Sequence, residues 1–202
     1  MDRHTRESYE HIADAYARET ADNDFSSGAL ARLAASIPSG HVLEIGSGPG
    51  WDADALEDAG LRVRRTDVTQ AFVDFQRSRG KEAERLDAIA DDFGGPYDAV
   101  VAIAVLQHVP PDDLPGVLAK VAASLRPGGR FLVAVPLGHG ADWEVGESGH
   151  RYFRALWTEG QFVAALAEAG FEPEWTERSG ETEDSGWLTV MAHRSDSADI
   201  TS

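Results

Sequence analysis

A run of glycines between a predicted strand and a predicted helix is the part of this chain best suited to chemistry. The segment VLEIGSGPG (42–50) begins with apolar residues typical of a buried strand and contains Gly46, Gly48 and Gly50. The next residues, WDADALEDAG, favour a helix that ends at a glycine. A strand, a glycine turn and a helix can together bring backbone N–H groups against a nucleotide-like ligand. The segment therefore predicts a binding site of that type.

Position 51 distinguishes between two kinds of glycine turn. A dinucleotide fingerprint, G-x-G-x-x-G, would need its third glycine there, and this chain has Trp51 instead. The pattern present is E-x-G-x-G-x-G, with Glu44 two residues ahead of the first glycine. A dinucleotide oxidoreductase is therefore disfavoured.

Length and composition indicate a single domain that does not bind nucleic acid. The 202 residues suffice for one independently folding core. The net charge is −17, and the largest basic cluster is Arg62, Arg64 and Arg65, which we interpret as a solvated strand face. The lack of cysteine excludes disulfides and thiolate chemistry. Because the sequence has no membrane-length apolar run and no signal-peptide core, we expect a cytoplasmic protein that does not contact a membrane.

Helical and strand patterns alternate along the chain. Apolar spacing favours helices over 6–20, 27–36 and 114–125, and Thr158 with Gln161 forms a possible capping box for a further helix. Thr69 can cap the helix QAFVDFQRSRG, and the residues 137–157 are expected to be a polar, glycine-rich stretch. The predicted strands are 42–45, LRVRRTD (61–67), 83–86, YDAVVAIAV (97–105), GRFLVAVP (129–136), FEPEWTER (171–178) and GWLTVMAHR (186–194). This alternation predicts a doubly wound α/β sheet, with a possible antiparallel hairpin at its end.

Carboxylates follow two of the predicted strands, where ligands of such sheets bind. Asp67 ends the second strand, and its carboxylate could accept hydrogen bonds from both ribose hydroxyls of a ligand. The alternative is an acid that stabilises the N-terminus of the next helix. Asp87 follows the third strand and could accept from an adenine amino group while the N–H of Ala88 binds a ring nitrogen. Asp91 and Asp92 are alternatives for that role.

These segments together resemble class I S-adenosylmethionine-dependent methyltransferases of the small-molecule, Rossmann-like type. The resemblance covers residues 8–194 and is carried by VLEIGSGPG, Asp67, LDA (86–88), YDAVVAIAVLQHV and LRPGGRFLVAVP. It implies a seven-stranded, mostly parallel sheet with an antiparallel last strand and helices on both faces. We therefore expect one domain over 1–194, with an N-terminal helical lid over about 1–37. The residues 195–202 show no packing pattern, and we expect them to be disordered.

The resemblance also implies the ligand and the residues that contact it. The cofactor would be S-adenosylmethionine, with S-adenosylhomocysteine as product. The segment YEHIADAYA is similar to a helix that covers the cofactor in this family, whose tyrosine would here be Tyr9 or Tyr16. Core packing of an amphipathic helix is the alternative. The cofactor-binding residues expected from the motifs are Tyr16, Glu44, Gly46, Ser47, Gly48, Gly50, Asp67, Val68, Asp87, Ala88 and Ile103.

His108, in LQHVPP after the fourth strand, is the candidate catalytic residue. A hydroxyl acceptor must lose its proton, and histidine is suited to remove it because its ordinary pKa is near neutral. The alternative is a histidine that packs beside the cofactor.

Aromatic residues and arginines in the stretch 137–157 are candidates for the acceptor pocket. Aromatic rings could form its apolar walls, and an arginine could fix a carboxylate of the acceptor. Alternatively, the aromatic residues close the core beneath the last helix. The expected substrate-binding residues are Tyr9, His108, Trp143, Arg151 and Tyr152. In the same stretch His139, Asp142, Glu144 and His150 match no compact ligand motif, so we expect no metal.

The sequence therefore predicts an enzyme that transfers a methyl group from S-adenosylmethionine to an oxygen, nitrogen or carbon atom of a small-molecule metabolite. The alternative is a protein of the same fold that binds S-adenosylmethionine or S-adenosylhomocysteine with a regulatory or non-methylating activity. Both fit the motifs equally well, since both require the cofactor. We expect a monomer or a homodimer.

Overall fold

The computed structural model describes residues 1–22, 24–146, 149–180 and 185–195. The helices are α1 (Arg3–Glu19), α2 (Ser27–Ser36), α3 (Trp51–Asp58), α4 (Gln70–Ser78), α5 (Leu114–Ser124) and α6 (Glu159–Glu168), with a short 3-10 helix at Leu106–His108. The strands are β1 (His41–Ile45), β2 (Arg62–Asp67), β3 (Ala83–Arg85), β4 (Tyr97–Ile103), β5 (Leu125–Pro136), β6 (Ala141–Val145), β7 (Arg151–Ala155), β8 (Phe171–Ser179) and β9 (Trp187–Arg194). Within the described ranges, no helix is both long and apolar enough to cross a membrane.

Seven strands form one sheet in the order β3-β2-β1-β4-β5-β9-β8. The neighbouring pairs from β3 to β5 are parallel. The last strand of the chain, β9, is antiparallel to both β5 and β8. The predicted doubly wound, mostly parallel sheet and its terminal hairpin are therefore confirmed. The strand order reverses between β1 and β4, which is where such sheets bind ligands.

The central strands are covered on both faces, which explains their continuous apolar sequences. Alternate residues of a strand point to opposite faces of a sheet, so the neighbours Val42 and Leu43 enter two separate cores. Leu43 belongs to the core that contains Leu118 of α5. Val42 belongs to the core that contains Leu33 of α2 and Leu56 of α3. The two cores fix β1, and with it the start of the glycine turn.

The stretch 137–157 differs from expectation, because much of it folds as the antiparallel hairpin β6–β7. Two side chains of α1 hold this hairpin: the Ser8 hydroxyl donates to the carbonyl of Arg151 (2.8 Å), and the N–H of Phe153 donates to the Thr5 hydroxyl (2.9 Å). These partners lie far away in the sequence, so local composition gave no signal for the hairpin. The expected disordered tail, apart from Ser195, lies outside the described residues.

Arg65 is not part of a solvated strand face, and that interpretation is wrong. Its side chain is 1% exposed and lies 2.6 Å from carboxylate oxygens of both Asp54 and Glu57 on α3. Its Nη1 donates to the carbonyl of Gly50 and to the side-chain oxygen of Gln76 on α4, both at 3.3 Å. One buried cation therefore joins β2 to two helices and to the glycine turn.

We predict that Arg65→Met lowers the free energy of unfolding by about 2 kcal/mol, because it leaves two carboxylates without their buried partner. The loss is smaller than for a fully buried pair, since Asp54 and Glu57 remain 22% and 31% exposed. Urea denaturation measures the change. Arg62→Met, on the same strand but exposed, is the matched control and should change stability by less than about 0.5 kcal/mol. Equal effects of the two substitutions would contradict the assignment.

Candidate active site

A cavity of about 160 Å³ lies at the carboxyl ends of the central strands. It is where the strand order reverses, as expected for an α/β sheet. Most residues expected to bind the cofactor line this cavity: Tyr16, Glu44, Gly46, Ser47, Gly48, Asp67, Val68, Ala88 and Ile103. Tyr9 and His108, expected to contact the acceptor, line it too, whereas Gly50 and Asp87 do not. Residues expected to bind the cofactor and residues expected to contact the acceptor thus line the same cavity.

The glycines of the turn are required for different physical reasons. At Gly46 a Cβ atom would lie 2.4 Å from Cγ2 of Val105, so a side chain there would clash with the core. At Gly48 a Cβ would meet no atom within 4 Å, although the backbone φ is +52°. Gly50 caps α3, and a Cβ there would lie 2.6 Å from the side-chain oxygen of Gln76. Of the three, Gly48 leaves open space for a ligand.

Strand β2 holds the glycine turn in register. The N–H of Ser47 donates to the carbonyl of Thr66 (2.8 Å), whose own N–H donates to the Ser47 hydroxyl (3.1 Å). The N–H of Gly48 donates to Oδ2 of Asp67 (2.8 Å), and the carbonyl of Gly48 accepts from the side chain of Gln76 (2.9 Å). The turn is therefore a rigid wall of the cavity.

Asp67 bonds to Thr69, the N-cap residue of α4, as in the alternative interpretation, and also to the glycine turn, which the sequence did not indicate. Besides the bond from the turn, its Oδ1 accepts from the N–H of Thr69 (2.7 Å). The carboxylate is 6% exposed, and burial raises its pKa. Each carboxylate oxygen can accept more than one hydrogen bond, so these contacts leave capacity for ligand hydroxyls.

Glu44 places an unsatisfied acceptor in the cavity wall. Its side chain is 3% exposed, and Oε2 has no hydrogen-bond partner among the residues that the structure describes. Burial raises the pKa of Glu44 to about 8, with a further contribution from the negative charge of Asp52. Asp52, which sequence reasoning assigned no role, also lines the cavity. Buried polar atoms normally have partners, so this wall is suited to a ligand that donates hydrogen bonds.

The segment after β3 contributes Leu86 and Ala88 to the cavity wall. Asp87 lies between these two residues in the sequence. Its Oδ1 accepts hydrogen bonds from the N–H of Ile89 and from the N-terminal amine of Met1, both at 2.9 Å. Its alternative, Asp91, accepts from the backbone N–H of Asp87 (2.8 Å). Apolar side chains thus form this part of the cavity wall.

Helix α1 closes the cavity through contacts with α4. The carboxylate of Glu10 accepts from the backbone N–H groups of Gln70 (2.7 Å) and Ala71 (2.8 Å) at the start of α4. Thr69 is the N-cap residue as predicted, but its side chain makes no capping bond there. Glu10 provides that acceptor instead, because unpaired N–H groups at a helix N-terminus favour a negative charge.

The hydrogen bonds of His108 fix its protonation state. Its Nδ1 lies 2.7 Å from the carbonyl oxygen of Phe153. A carbonyl can only accept, so Nδ1 carries the proton and Nε2 accepts from the Tyr9 hydroxyl at 3.0 Å. Burial lowers the pKa of His108 to about 4. The imidazole is therefore neutral near pH 7, with both nitrogens bonded.

Aromatic rings surround Tyr9. Its ring centroid lies 5.8 Å from that of Tyr16, 5.9 Å from Phe72, 5.4 Å from His108 and 5.0 Å from Tyr152. Rings at such distances attract one another in tilted or edge-to-face arrangements. They form a continuous aromatic wall next to the cavity.

Trp143 and Arg151, also expected to contact the acceptor, line a separate groove with His4, His11 and His150. At 100° per residue, His4 and His11 lie on the face of α1 opposite to Tyr9. The structure therefore places Tyr152 next to Tyr9, whereas Trp143 and Arg151 lie in the separate groove. In the part of the chain that is described, no three His, Asp or Glu side chains are grouped as ligands for a metal ion.

Comparison with known proteins agrees with this architecture. A family model described as a methyltransferase domain matches residues 4–175. A ubiquinone biosynthesis O-methyltransferase of Xylella fastidiosa (strain M23) is 31% identical over 107 residues, which cover 49% of this chain and 43% of the relative. The match thus spans under half the length of that relative.

Two solved structures illustrate the shared fold. A Burkholderia thailandensis 1,6-didemethyltoxoflavin-N1-methyltransferase, with its namesake compound and S-adenosylhomocysteine bound, is 23% identical at a TM-score of 0.73. The likeness covers 95% of this chain and 87% of that one. The [4+2]-cyclase SpnF is 17% identical at a TM-score of 0.67, over 85% of this chain and 80% of its own. The same fold therefore occurs in proteins named for methyl transfer and for cyclisation.

We predict that alanine destabilises the protein more at Gly46 than at Gly48. Gly46→Ala should lower the free energy of unfolding by about 2 kcal/mol or more, because its Cβ would overlap Val105. Gly48→Ala should cost about 1 kcal/mol, from the positive φ alone. Chemical denaturation of both variants measures the difference. A Gly48→Ala variant at least as unstable as Gly46→Ala would show that the space at Gly48 is filled by protein.

We predict that His108 makes stability dependent on pH below neutrality. Its folded-state pKa of about 4 lies below the ordinary value of 6.5, so the unfolded chain binds a proton first as the pH falls. Its contribution is fully present above about pH 6.5 and is lost toward pH 4, at up to about 1.4 kcal/mol per pH unit.

The check is the difference in stability between the protein and His108→Asn from pH 4.5 to 8, which cancels the carboxylates common to both. Nitrogen NMR of labelled imidazole should show the Nδ1–H tautomer throughout that range. An imidazolium signal near pH 6.5 would refute the prediction.

Proposed function

The chain belongs to the methyltransferase-domain family, and we propose that it transfers a methyl group from S-adenosylmethionine to an oxygen, nitrogen or carbon atom of a small-molecule acceptor. The observation that carries the proposal is one cavity lined by the glycine turn, by the strand-end Asp67 and by the aromatic wall at Tyr9. We propose one domain over 1–194, with the N-terminal helices acting as a lid.

The residues of the cavity fit S-adenosylmethionine. Gly48 presents a backbone with no side chain in the way. The unpaired Oε2 of Glu44 is suited to an ammonium group, and the Asp67 carboxylate is suited to a pair of ribose hydroxyls. Leu86 and Ala88 provide apolar surface for the adenine ring. The ammonium group, the ribose and the adenine of the cofactor thus each have a matching group.

The protein's contribution to the reaction is to orient two reactants and to exclude water. S-adenosylmethionine, when bound, supplies an electrophilic methyl group on a sulfonium sulfur. The rigid glycine turn and Asp67 would hold the nucleoside and amino-acid parts in place. Helix α1 would cover the reacting atoms through Tyr9 and Tyr16, both of which line the cavity.

The bonds of His108 favour a positioning role over that of a general base. A base with a pKa of about 4 takes a proton poorly from a hydroxyl near pH 7. Its Nε2 is also occupied by the Tyr9 hydroxyl. We propose that His108 orients Tyr9, and through it the aromatic wall against which the acceptor packs.

The charges of the cavity favour an acceptor without an anionic group. The ionisable side chains of the described residues that line it include Glu44, Asp52 and Asp67 but no lysine or arginine. A carboxylate or phosphate on the acceptor would find no cationic side chain among these residues, and the N-terminal amine of Met1, which also lines the cavity, is already bonded to Asp87. The aromatic wall favours a flat molecule. The Xylella relative, named for O-methylation, and the Burkholderia protein, which binds 1,6-didemethyltoxoflavin, are consistent with a small-molecule acceptor.

Calorimetric titration followed by a methyl-transfer screen tests the proposal. We expect S-adenosylmethionine and S-adenosylhomocysteine to bind with dissociation constants on the order of micromolar, and NADH not to bind. Gly48→Leu should abolish binding, because its side chain would enter the open space of the cavity. The screen should pair flat phenols and nitrogen heterocycles with their carboxylated analogues, and we expect turnover of the uncharged members.

The outcomes separate the two functional classes. Methyl transfer to an uncharged acceptor supports the proposal. Cofactor binding without turnover of any acceptor class favours the non-methylating alternative, for which the cyclase of the same fold is a precedent. Binding of NADH, or unchanged affinity in Gly48→Leu, would contradict the site itself.

A further inference from the structure

Two acidic residues from different elements line the cavity. Glu44 lies at the end of β1, and Asp52 lies in the first turn of α3, on the far side of the glycine turn. Both line the cavity together with Ser26. The Ser26 hydroxyl, 7% exposed, donates to Oδ1 of Asp52 at 2.6 Å. This bond orients the Asp52 carboxyl through one of its two oxygens.

The unpaired Oε2 of Glu44 is an independent sign that a ligand belongs there. It is an acceptor on a side chain that is 97% buried, since 3% is exposed. An unsatisfied buried polar atom costs about 1–3 kcal/mol unless a partner compensates. Asp52 is half-buried, and its negative charge raises the pKa of Glu44. Neighbouring carboxylates disfavour each other's charged form unless a cation lies near them.

We infer that Asp52 is a second cofactor-binding carboxyl, that Glu44 holds a proton in the free protein, and that an ammonium group of the bound ligand displaces this proton into solvent. The inference rests on the proposed function, because it takes an S-adenosyl amino acid as the ligand. It adds Asp52 and Ser26 to the site and makes cofactor binding dependent on pH.

The groups around the pair agree with a retained proton. The negative charges of Asp52 on α3 and Asp67 on β2 raise the pKa of Glu44. Arg65 and the Ser47 hydroxyl lower it. Burial is the largest cause and raises the pKa of both Glu44 and Asp52. Arg65 is already engaged with two other carboxylates of α3.

The sign of the pH dependence follows from these groups. Because the pKa of Glu44 is raised to about 8, the free protein holds the proton at pH 7. A cationic ligand lowers that pKa in the complex, so binding releases the proton. Affinity should therefore rise between pH 6 and pH 8 and level off above that range.

Calorimetry in phosphate and in Tris, whose ionisation enthalpies differ, counts the protons released when S-adenosylhomocysteine binds. We expect close to one proton per ligand at pH 7. Glu44→Gln should reduce the release to near zero, and Asp52→Asn should reduce both the release and the affinity, the latter about tenfold. Methylthioadenosine lacks the amino-acid group and should bind without releasing a proton.

Asp58→Asn is the matched control, since Asp58 is an exposed acid on the same helix and does not line the cavity. This variant should bind S-adenosylhomocysteine with the same affinity and the same proton release as the unsubstituted protein. Binding of S-adenosylhomocysteine without proton release would overturn the inference and leave the proposed function intact. Unchanged release in Asp52→Asn, or equal release with methylthioadenosine, would overturn it as well. If no S-adenosyl compound binds, the proposed function itself is overturned.

Discussion

The buried guanidinium of Arg65 is the interaction on which the geometry of the cavity depends. It donates to the carbonyl of Gly50 and to the side chain of Gln76, and it is paired with two carboxylates of α3. Gln76 in turn donates to the carbonyl of Gly48. Because a buried cation is costly unless its partners stay in place, β2, α3, α4 and the glycine turn are constrained to move as one body. The open space at Gly48 is a consequence of that constraint.

The two walls of the cavity differ in how firmly they are held. The glycine turn is fixed by backbone bonds to β2 and by the Arg65 network within the core. Helix α1 is held largely by side-chain bonds, from Glu10 to α4 and from Thr5 and Ser8 to β7. Local opening costs least where few buried contacts are lost. Of the two walls, α1 is therefore the one that can open for a ligand at the lower free-energy cost.

What the sequence could predict was local in character. VLEIGSGPG and the apolar strands encode their own conformation, so the doubly wound sheet and a ligand site at its strand ends followed from neighbouring residues. The seven-stranded form of the sheet was implied by the family resemblance. The burial of Arg65 could not be predicted, because its partners come from three separate elements. The tautomer of His108 depends on the carbonyl of Phe153, which belongs to a hairpin that composition did not reveal. No role could be assigned to Asp52 from the sequence, because its hydrogen-bond partner Ser26 lies 26 residues earlier, before β1.

The acidic lining of the cavity bears on product release as well as on binding. On the proposed function, the cofactor enters with positive charges on its sulfonium and its ammonium group, and the product retains only the latter. Carboxylates in a buried site attract a cation more strongly than they would in water. Asp67 and the Glu44–Asp52 pair would therefore bind the cofactor more tightly than the product at equal contact area. On this argument, loss of the sulfonium charge removes one attraction, and the product is held less tightly than the cofactor.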